Sequence, residues 1–194
     1  MISSTLVLAH LMRTKGHCRV RLRALRIHRD ALGDILRIGL PAGVQGCIFS
    51  FSNVIIQSSI NSFGEAAITA NAEAANIEGF VYTSMNAVSQ ACLTFTGQNY
   101  GAKKAKNMDV VLADSLLIVV CMGLALGLGV YFSGGLLMRI YTKSDEVVRL
   151  GVDRMGVICT TYFLCGVMEV LGGSLRGMGH SVLPMAVSAV GVCG

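Results

Sequence analysis

SLLIVVCMGLALGLGVYFSGGLLM, residues 115–138, contains no charged side chain. A helix needs about 20 apolar residues to cross a hydrocarbon core about 30 Å thick. A helix of this length at the surface of a soluble protein would carry a polar face, and this stretch carries none. It therefore predicts a membrane-spanning helix, and candidate functional residues are the polar side chains that interrupt such spans.

The composition also fits a membrane protein. The chain is 53% hydrophobic and 14% charged, whereas soluble domains carry about 25% charged residues. Its seven cysteines include no Cys-x-x-Cys pair, and its four histidines are scattered. Neither a metal site, a cofactor nor a disulfide framework is predicted. Because no His cluster or Ser-His-Asp set occurs in the spans, catalytic residues and enzymatic activity are not predicted either.

We predict an all-α, polytopic transmembrane helix bundle with four complete spans and a partial helix at each end. Residues 1–34 are interpreted as the end of a preceding helix and a basic cytoplasmic connection, and residues 35–194 as the bundle. The N-terminal apolar segment is too short for a complete span, and its charges follow it, unlike those of a secretory signal. The spans are placed at 35–62, 66–96, 112–134 and 147–174, with a truncated span from 184.

Lys and Arg are unevenly distributed between the two ends of the predicted spans. One side has the basic residues between Arg13 and Arg37, three lysines in the 97–107 loop, and Arg176. The other side has only Arg139, Lys143, Arg149 and Arg154. Because cytoplasmic flanks are enriched in Lys and Arg, we expect a multi-pass protein of the cell (inner or plasma) membrane with a cytoplasmic N-terminus. No recognition motif accompanies the basic cluster, so the expected partner is the lipid bilayer and not a nucleic acid.

Two polar stripes lie within the first and second spans. Residues four apart share a helix face, as Asn53 and Gln57 do in the first span. The second span carries Glu78, Tyr82 and Asn86 at the same spacing. A polar stripe facing lipid costs several kcal/mol, so we expect the stripes to face each other or a water-filled cavity. The alternative is hydrogen bonding that holds helices together.

Two carboxylates lie deep in the predicted spans. Glu78 is about 18 Å into the second span and Glu169 about 10 Å from the cytoplasmic end of the fourth, at 1.5 Å per residue. Ionisable groups at such depth are candidate proton or cation sites. The alternative for each is a structural carboxylate bonded to a neighbouring helix or reaching the membrane interface.

Glycine and proline give weaker signals. Gly39-x-x-x-Gly43 and Gly123-x-x-x-Gly127 permit two helices to approach closely. Pro41, near the beginning of the first span, favours a helix start over a bend.

Several motifs resemble those of the multidrug and toxic compound extrusion (MATE) family. The loop GQNYGAKK, residues 97–104, has the form of a tight, Gly-bounded turn with a basic edge, and it is similar to a loop in that family's second half. IGLPAG at 38–43 resembles the entry to the seventh helix. LRGMGHS at 175–181, followed by Pro184, resembles the loop between the tenth and eleventh helices. The segment 53–61 is similar as well.

The resemblance implies one lobe of a twelve-helix antiporter that exports cationic, amphipathic compounds in exchange for Na⁺ or H⁺. The partners would be such small-molecule cations and either the missing first lobe or a second copy of the chain. Some family members carry carboxylates where this chain has Phe49 and Cys165, so an ion site here would need Glu78 and Glu169. Tyr162 falls close to a tyrosine that those members use.

Two other functions remain open. One is a non-transporting membrane remnant or a fragment that requires oligomerisation. The other is an exporter of lipid-linked precursors of the same superfamily, which would favour a strongly cationic cavity, whereas Glu78 and Glu169 are acidic.

Overall fold

The computed structural model describes residues 5–7, 10, 12, 26 and 28–193, with the last two by backbone alone. Most of the predicted N-terminal helix end and basic connection therefore lies outside the described residues. The chain divides into two compact units, Met1–Leu36 and Arg37–Gly194. The contacts and cavities discussed below belong to the second unit.

Long α-helices make up the second unit. Four of them confirm the predicted all-α bundle, and a shorter fifth follows. Each long helix extends past its predicted span, because backbone hydrogen bonding continues into polar residues beyond the apolar segment. The helices are α1 (Arg29–Asn61), α2 (Glu65–Gly101), α3 (Ala105–Tyr141), α4 (Asp145–Gly177) and α5 (Val182–Cys193).

Short connections make consecutive helices antiparallel. The predicted Gly-bounded turn is wrong in detail, since α2 continues through residue 97 and ends at Gly101. The left-handed residue of this connection is Lys103, at φ 57°. A glycine does take the positive φ in two other connections, at Gly64 and Gly179. The connections after α2 and after α4 therefore lie at the same end of the bundle.

The core forms where α2, α3 and α4 pack against one another. Ala74, Met138 and Met155 are fully buried in one apolar cluster. Cys92 and Val119 belong to a second cluster of the same three helices. Burial of such side chains contributes about 25 cal/mol per Å² of apolar surface in a soluble core, whereas in lipid close packing itself must stabilise the contact.

Glycines in α3 allow this close packing. A Cβ atom on Gly123 would lie 3.0 Å from backbone and side-chain atoms of Phe163, and one on Gly127 would collide with the Cys159 carbonyl. The prediction from Gly123-x-x-x-Gly127 is therefore confirmed. The Gly39-x-x-x-Gly43 pattern is not used for packing here, because no described residue lies within 4 Å of either Cβ position.

Helix α1 is attached to the rest of the bundle far more loosely. Only 6% of its most apolar window is buried. Pro41 lies inside α1, so its prediction as a helix start is wrong. Since proline lacks an N–H group, it donates no helical hydrogen bond at this position.

Three of the long helices, α1, α3 and α4, are long and apolar enough to cross a membrane by length and composition. Helix α2 falls outside this group because its polar stripe lowers its hydropathy. It nevertheless has 37 residues and packs against both α3 and α4. Its polar residues Glu78, Ser89 and Thr96 are buried in that packing.

Candidate functional site

A polar cleft lies where α1, α2 and α4 meet. Two cavities open into it, a large cavity of about 660 Å³ and a small cavity of about 370 Å³. Asn53, Tyr82 and Tyr162 line both, so the two cavities are neighbouring sections of one cleft. Sites for drug-sized molecules have volumes of roughly 300–1,000 Å³.

The large cavity combines aromatic, amide and charged side chains. Successive turns of α2 place Tyr82, Asn86 and Gln90 on its wall. Helix α4 contributes Glu169 and Arg176, whose ion pair has an N–O distance of 3.5 Å. The cavity can therefore offer hydrogen bonds, aromatic faces and a carboxylate to one bound molecule.

The ion pair of the large cavity lies within a single helix. Arg176 is seven residues after Glu169, which is about two helical turns. Arg176 also donates through Nε to the Gly172 carbonyl, at 3.2 Å. Both charged side chains are 21% exposed. This pair fixes side-chain positions at one end of α4 without connecting α4 to another helix.

The small cavity contains an ion pair between two helices. Arg154 of α4 donates through one terminal nitrogen to Glu78 Oε2 of α2, at 2.9 Å. Its other terminal nitrogen donates to the backbone carbonyl of Asn71, at 2.7 Å. Glu78 Oε1 is buried and has no hydrogen-bond partner among the described residues. Since a buried carboxylate oxygen without a partner is costly, this atom is available to a ligand.

Hydrogen bonds extend from this ion pair to α1. The Asn71 side chain donates to Gln57 Oε1, at 2.9 Å. Gln57 in turn donates to Asn61 Oδ1, at 3.1 Å. The only other side-chain hydrogen bond from α1 to a described helix runs from Gln45 to Ser188 of α5. The small cavity therefore lies beside one of two polar attachments of α1.

The cleft brings the residues predicted from sequence together. Both polar stripes face it, and so do both deep carboxylates. Their roles in binding stay predictions. The predicted residues that line one or both cavities are Asn53, Gln57, Glu78, Tyr82, Asn86, Tyr162 and Glu169.

Two residues of the site were missed from sequence. Arg154 is assigned there to a charged flank, whereas the structure places its guanidinium against Glu78. A signal existed, because Arg154 falls inside the predicted span 147–174, where an ionisable residue needs a partner. Asn71 also had a signal, since it precedes Glu78 by seven residues and so shares its helix face.

Arginines are the charged neighbours of the two cleft carboxylates among the described residues. Within the part of the chain that the structure describes, no three His, Cys, Asp or Glu residues are grouped to hold a metal ion. Each carboxylate instead has an arginine as its neighbour. The cleft therefore has little net charge, and it presents acidic and basic groups in pairs.

Comparisons with known proteins agree with this architecture. The MatE family model matches residues 41–194. The chain is 20% identical to the probable multidrug resistance protein NorM of Thermotoga maritima, over 82% of this chain and 34% of that protein. It is 20% identical to YoeA of Bacillus subtilis, another probable multidrug resistance protein, over 100% of this chain and 42% of that protein. Identity to the multidrug export protein MepA of Staphylococcus aureus is 19%, over 93% and 40%.

A solved structure shares the fold. A MOP superfamily transporter from Pyrococcus furiosus superposes with a TM-score of 0.78 at 18% identity, covering 82% of this chain and 35% of that one. The chain thus spans between 34% and 42% of the length of the curated relatives named here.

Proposed function

Since the chain belongs to the MatE family of integral membrane proteins, we propose that it forms part of a multidrug efflux antiporter of the plasma membrane. The proposed substrates are cationic, amphipathic compounds, exchanged for Na⁺ or H⁺. The observation that carries the proposal is the polar cleft, which combines two carboxylates with tyrosine and amide side chains. The curated relatives are multidrug resistance and export proteins by name.

The chemistry of the cleft suits an organic cation. Tyr82 and Tyr162 provide aromatic faces, which attract cations through the ring quadrupole. Asn86 and Gln90 can accept hydrogen bonds from a protonated amine. Glu78 and Glu169 supply negative charge, and a bound cation must compete with Arg154 or Arg176 for these carboxylates. Such a site binds cations with moderate affinity, as a transporter that must also release them requires.

The depth of the cleft supports transport by alternating access. Glu78 lies about 20 Å along α2 from its first residue, in a helix about 55 Å long, and so well inside the helix. Transporters built from two related halves bind substrate near the midplane, between those halves. We therefore propose that a first lobe or a second copy of this chain completes the pathway.

The charge distribution supports a cytoplasmic N-terminus. The antiparallel helices α2, α3 and α4 bring Lys103, Lys104 and Arg176 to the same end of the bundle. Basic residues concentrate at the cytoplasmic face of membrane proteins. This orientation makes the Glu169–Arg176 pair the one nearer the cytoplasm.

Export from cells tests the proposed function. The native protein is expressed in a bacterium that lacks its own efflux pumps, and accumulation of ethidium is measured. We expect lower accumulation with the protein present, and less export by Gln90→Ala, which removes an amide from the large cavity. Gln98→Ala is the matched control, because Gln98 is exposed two turns further along α2 and lines neither cavity. Imposed Na⁺ and pH gradients in proteoliposomes then identify the coupling ion.

Normal membrane levels without export would favour the non-transporting alternative. Equal losses for the two glutamine variants would also count against the cleft as the substrate path.

A further inference from the structure

We propose that Arg154 acts as an internal cation that occupies Glu78 until a bound monovalent cation replaces it. The Glu78–Arg154 ion pair would then open on cation binding, instead of serving only to hold α2 against α4. This inference rests on the proposed function, because it names the ion pair at which a cation enters the cleft. The cation is either an inorganic coupling ion or the charged group of a transported compound.

The two partners differ in burial. The Glu78 side chain is 7% exposed, whereas that of Arg154 is 29% exposed. A carboxylate buried to this extent cannot follow a departing partner into water. Arg154 can leave, because its long side chain is partly solvated. Its backbone lies only about 14 Å along α4 from the first residue of the helix, so the side chain can extend towards that end. An exchange of partners therefore moves Arg154 and leaves Glu78 in place.

A second acceptor is already present for an incoming cation. Glu78 Oε1 is buried without a hydrogen bond among the described residues, and Glu78 lines the small cavity. Asn53 and Tyr162 line the same cavity and carry further oxygen atoms. A cation held by Oε1 would repel the guanidinium on Oε2, so binding itself weakens the ion pair.

Arg154 connects this exchange to α1. Its contact with the Asn71 carbonyl holds the residue whose side chain bonds Gln57 of α1. When Arg154 leaves, the Asn71 carbonyl loses this additional hydrogen bond, although helix α2 still fixes the backbone of Asn71. The Asn71–Gln57 hydrogen bond is thereby weakened. It is one of the two side-chain hydrogen bonds that join α1 to other described helices. Cation binding at Glu78 thus favours movement of α1 at the small cavity.

Cation affinity of Arg154→Gln tests the exchange. Binding of tetraphenylphosphonium and of Na⁺ is measured by calorimetry on the purified native protein and the variant. We expect the affinity for at least one probe to rise about tenfold, because a site freed from a competing internal cation no longer pays for its displacement. Glu78→Gln should abolish binding of that probe. Whichever probe gains affinity identifies the cation as organic or inorganic.

Arg139→Gln is the matched control. Arg139 also pairs with a carboxylate, that of Asp145, but outside the cleft and with 68% of its side chain exposed. Its removal should leave both affinities unchanged. Unchanged or weaker binding of both probes by a folded Arg154→Gln protein would show a merely structural pair and overturn the inference.

A measurement on the unmodified protein covers the case in which Arg154→Gln does not fold. Hydrogen–deuterium exchange of the native protein is followed with and without saturating cation. We expect faster exchange in residues 53–61 of α1, with residues 115–138 of α3 as the internal control. Slower or unchanged exchange in 53–61 would contradict the release of Arg154.

The affinity test is independent of the export test. If the protein exports nothing but Arg154→Gln binds the cation more tightly, the proposed exchange at Glu78 stands and the proposed transport function is wrong. If the native protein exports but Arg154→Gln binds neither probe more tightly, the proposed transport function stands and the proposed exchange at Glu78 is wrong.

Discussion

The two ion pairs of the cleft are chemically identical and structurally different. Glu78 and Arg154 are 76 positions apart and connect α2 to α4. Glu169 and Arg176 lie on α4 alone, two turns apart, and are equally exposed. The first pair depends on how two helices are placed relative to each other, whereas the second depends only on helix geometry. The Glu78–Arg154 pair therefore responds to a change in the relative position of α2 and α4, whereas the Glu169–Arg176 pair only orders side chains within α4.

The cost of breaking each pair should follow this difference. Removing one partner of a buried pair leaves an uncompensated charge, which costs about 3–5 kcal/mol. The Glu169–Arg176 pair should cost less to break, because Glu169 is more exposed than Glu78 and the pair joins no two helices.

Removing each arginine should give the largest contrast. We expect Arg154→Gln to lower the free energy of unfolding by about 3 kcal/mol, because buried Glu78 loses its partner. Arg176→Gln should lower the free energy of unfolding by less, because Glu169 is more exposed than Glu78. Denaturant unfolding of the native protein and both variants in detergent measures the two values, and equal losses would remove the distinction between the pairs.

A double-mutant cycle sharpens the same contrast. Glu78→Gln combined with Arg154→Gln removes both charges, so the double variant should recover about 2 kcal/mol of the summed single losses. The corresponding cycle for Glu169 and Arg176 should give a coupling energy below about 1 kcal/mol. The four unfolding free energies of each cycle provide the measurement. Additivity at Glu78 and Arg154 would mean that they do not interact in the membrane protein.

This difference also separates what the sequence predicts from what it does not. The helix period places Asn53 with Gln57, and Glu78 with Tyr82, because residues four apart share a face. That these residues share a helix face therefore follows from local geometry. The same holds for Glu169 beside Arg176.

Contacts between helices required the fold. Arg154 meets Glu78 only because α2 and α4 have one particular rotation and separation, which no local period specifies. The two Gly-x-x-x-Gly patterns make the same point. Gly123 and Gly127 contact α4 closely, whereas no described residue lies within 4 Å of the Cβ positions of Gly39 and Gly43. The Gly-x-x-x-Gly spacing permits close approach, but the packing of other residues determines whether a second helix lies against the two glycines.

Widening the space between α2 and α4 tests how far the buried pair depends on helix packing. A Cβ on Gly173 of α4 would lie 2.9 Å from the Ser89 hydroxyl and 3.0 Å from the Ser89 carbonyl oxygen of α2. We expect Gly173→Ala to lower the unfolding free energy by about 1–2 kcal/mol, because overpacking shifts the backbone.

Gly156→Ala is the control on the same helix, since among the described residues its Cβ would meet only Tyr131, at an ordinary 3.5 Å. Alanine has a higher helix propensity than glycine, so this variant should be neutral or more stable by up to about 1 kcal/mol. Unfolding of both variants is followed as for the arginine variants. A stable Gly173→Ala protein would show that α2 and α4 adjust their separation without cost.

The pair between Arg139 and Asp145 sets the lower limit of the comparison. Its N–O distance is 3.3 Å and the side chains are 68% and 89% exposed. Water and salt screen such a pair, and ordering two long side chains offsets most of the attraction. Asp145→Asn should therefore change the unfolding free energy by about 0.5 kcal/mol or less, and raised salt should remove even that difference. Since this pair also joins two helices, a loss as large as that of Arg154→Gln would mean that helix connection, and not burial, determines the strength of an ion pair in this protein.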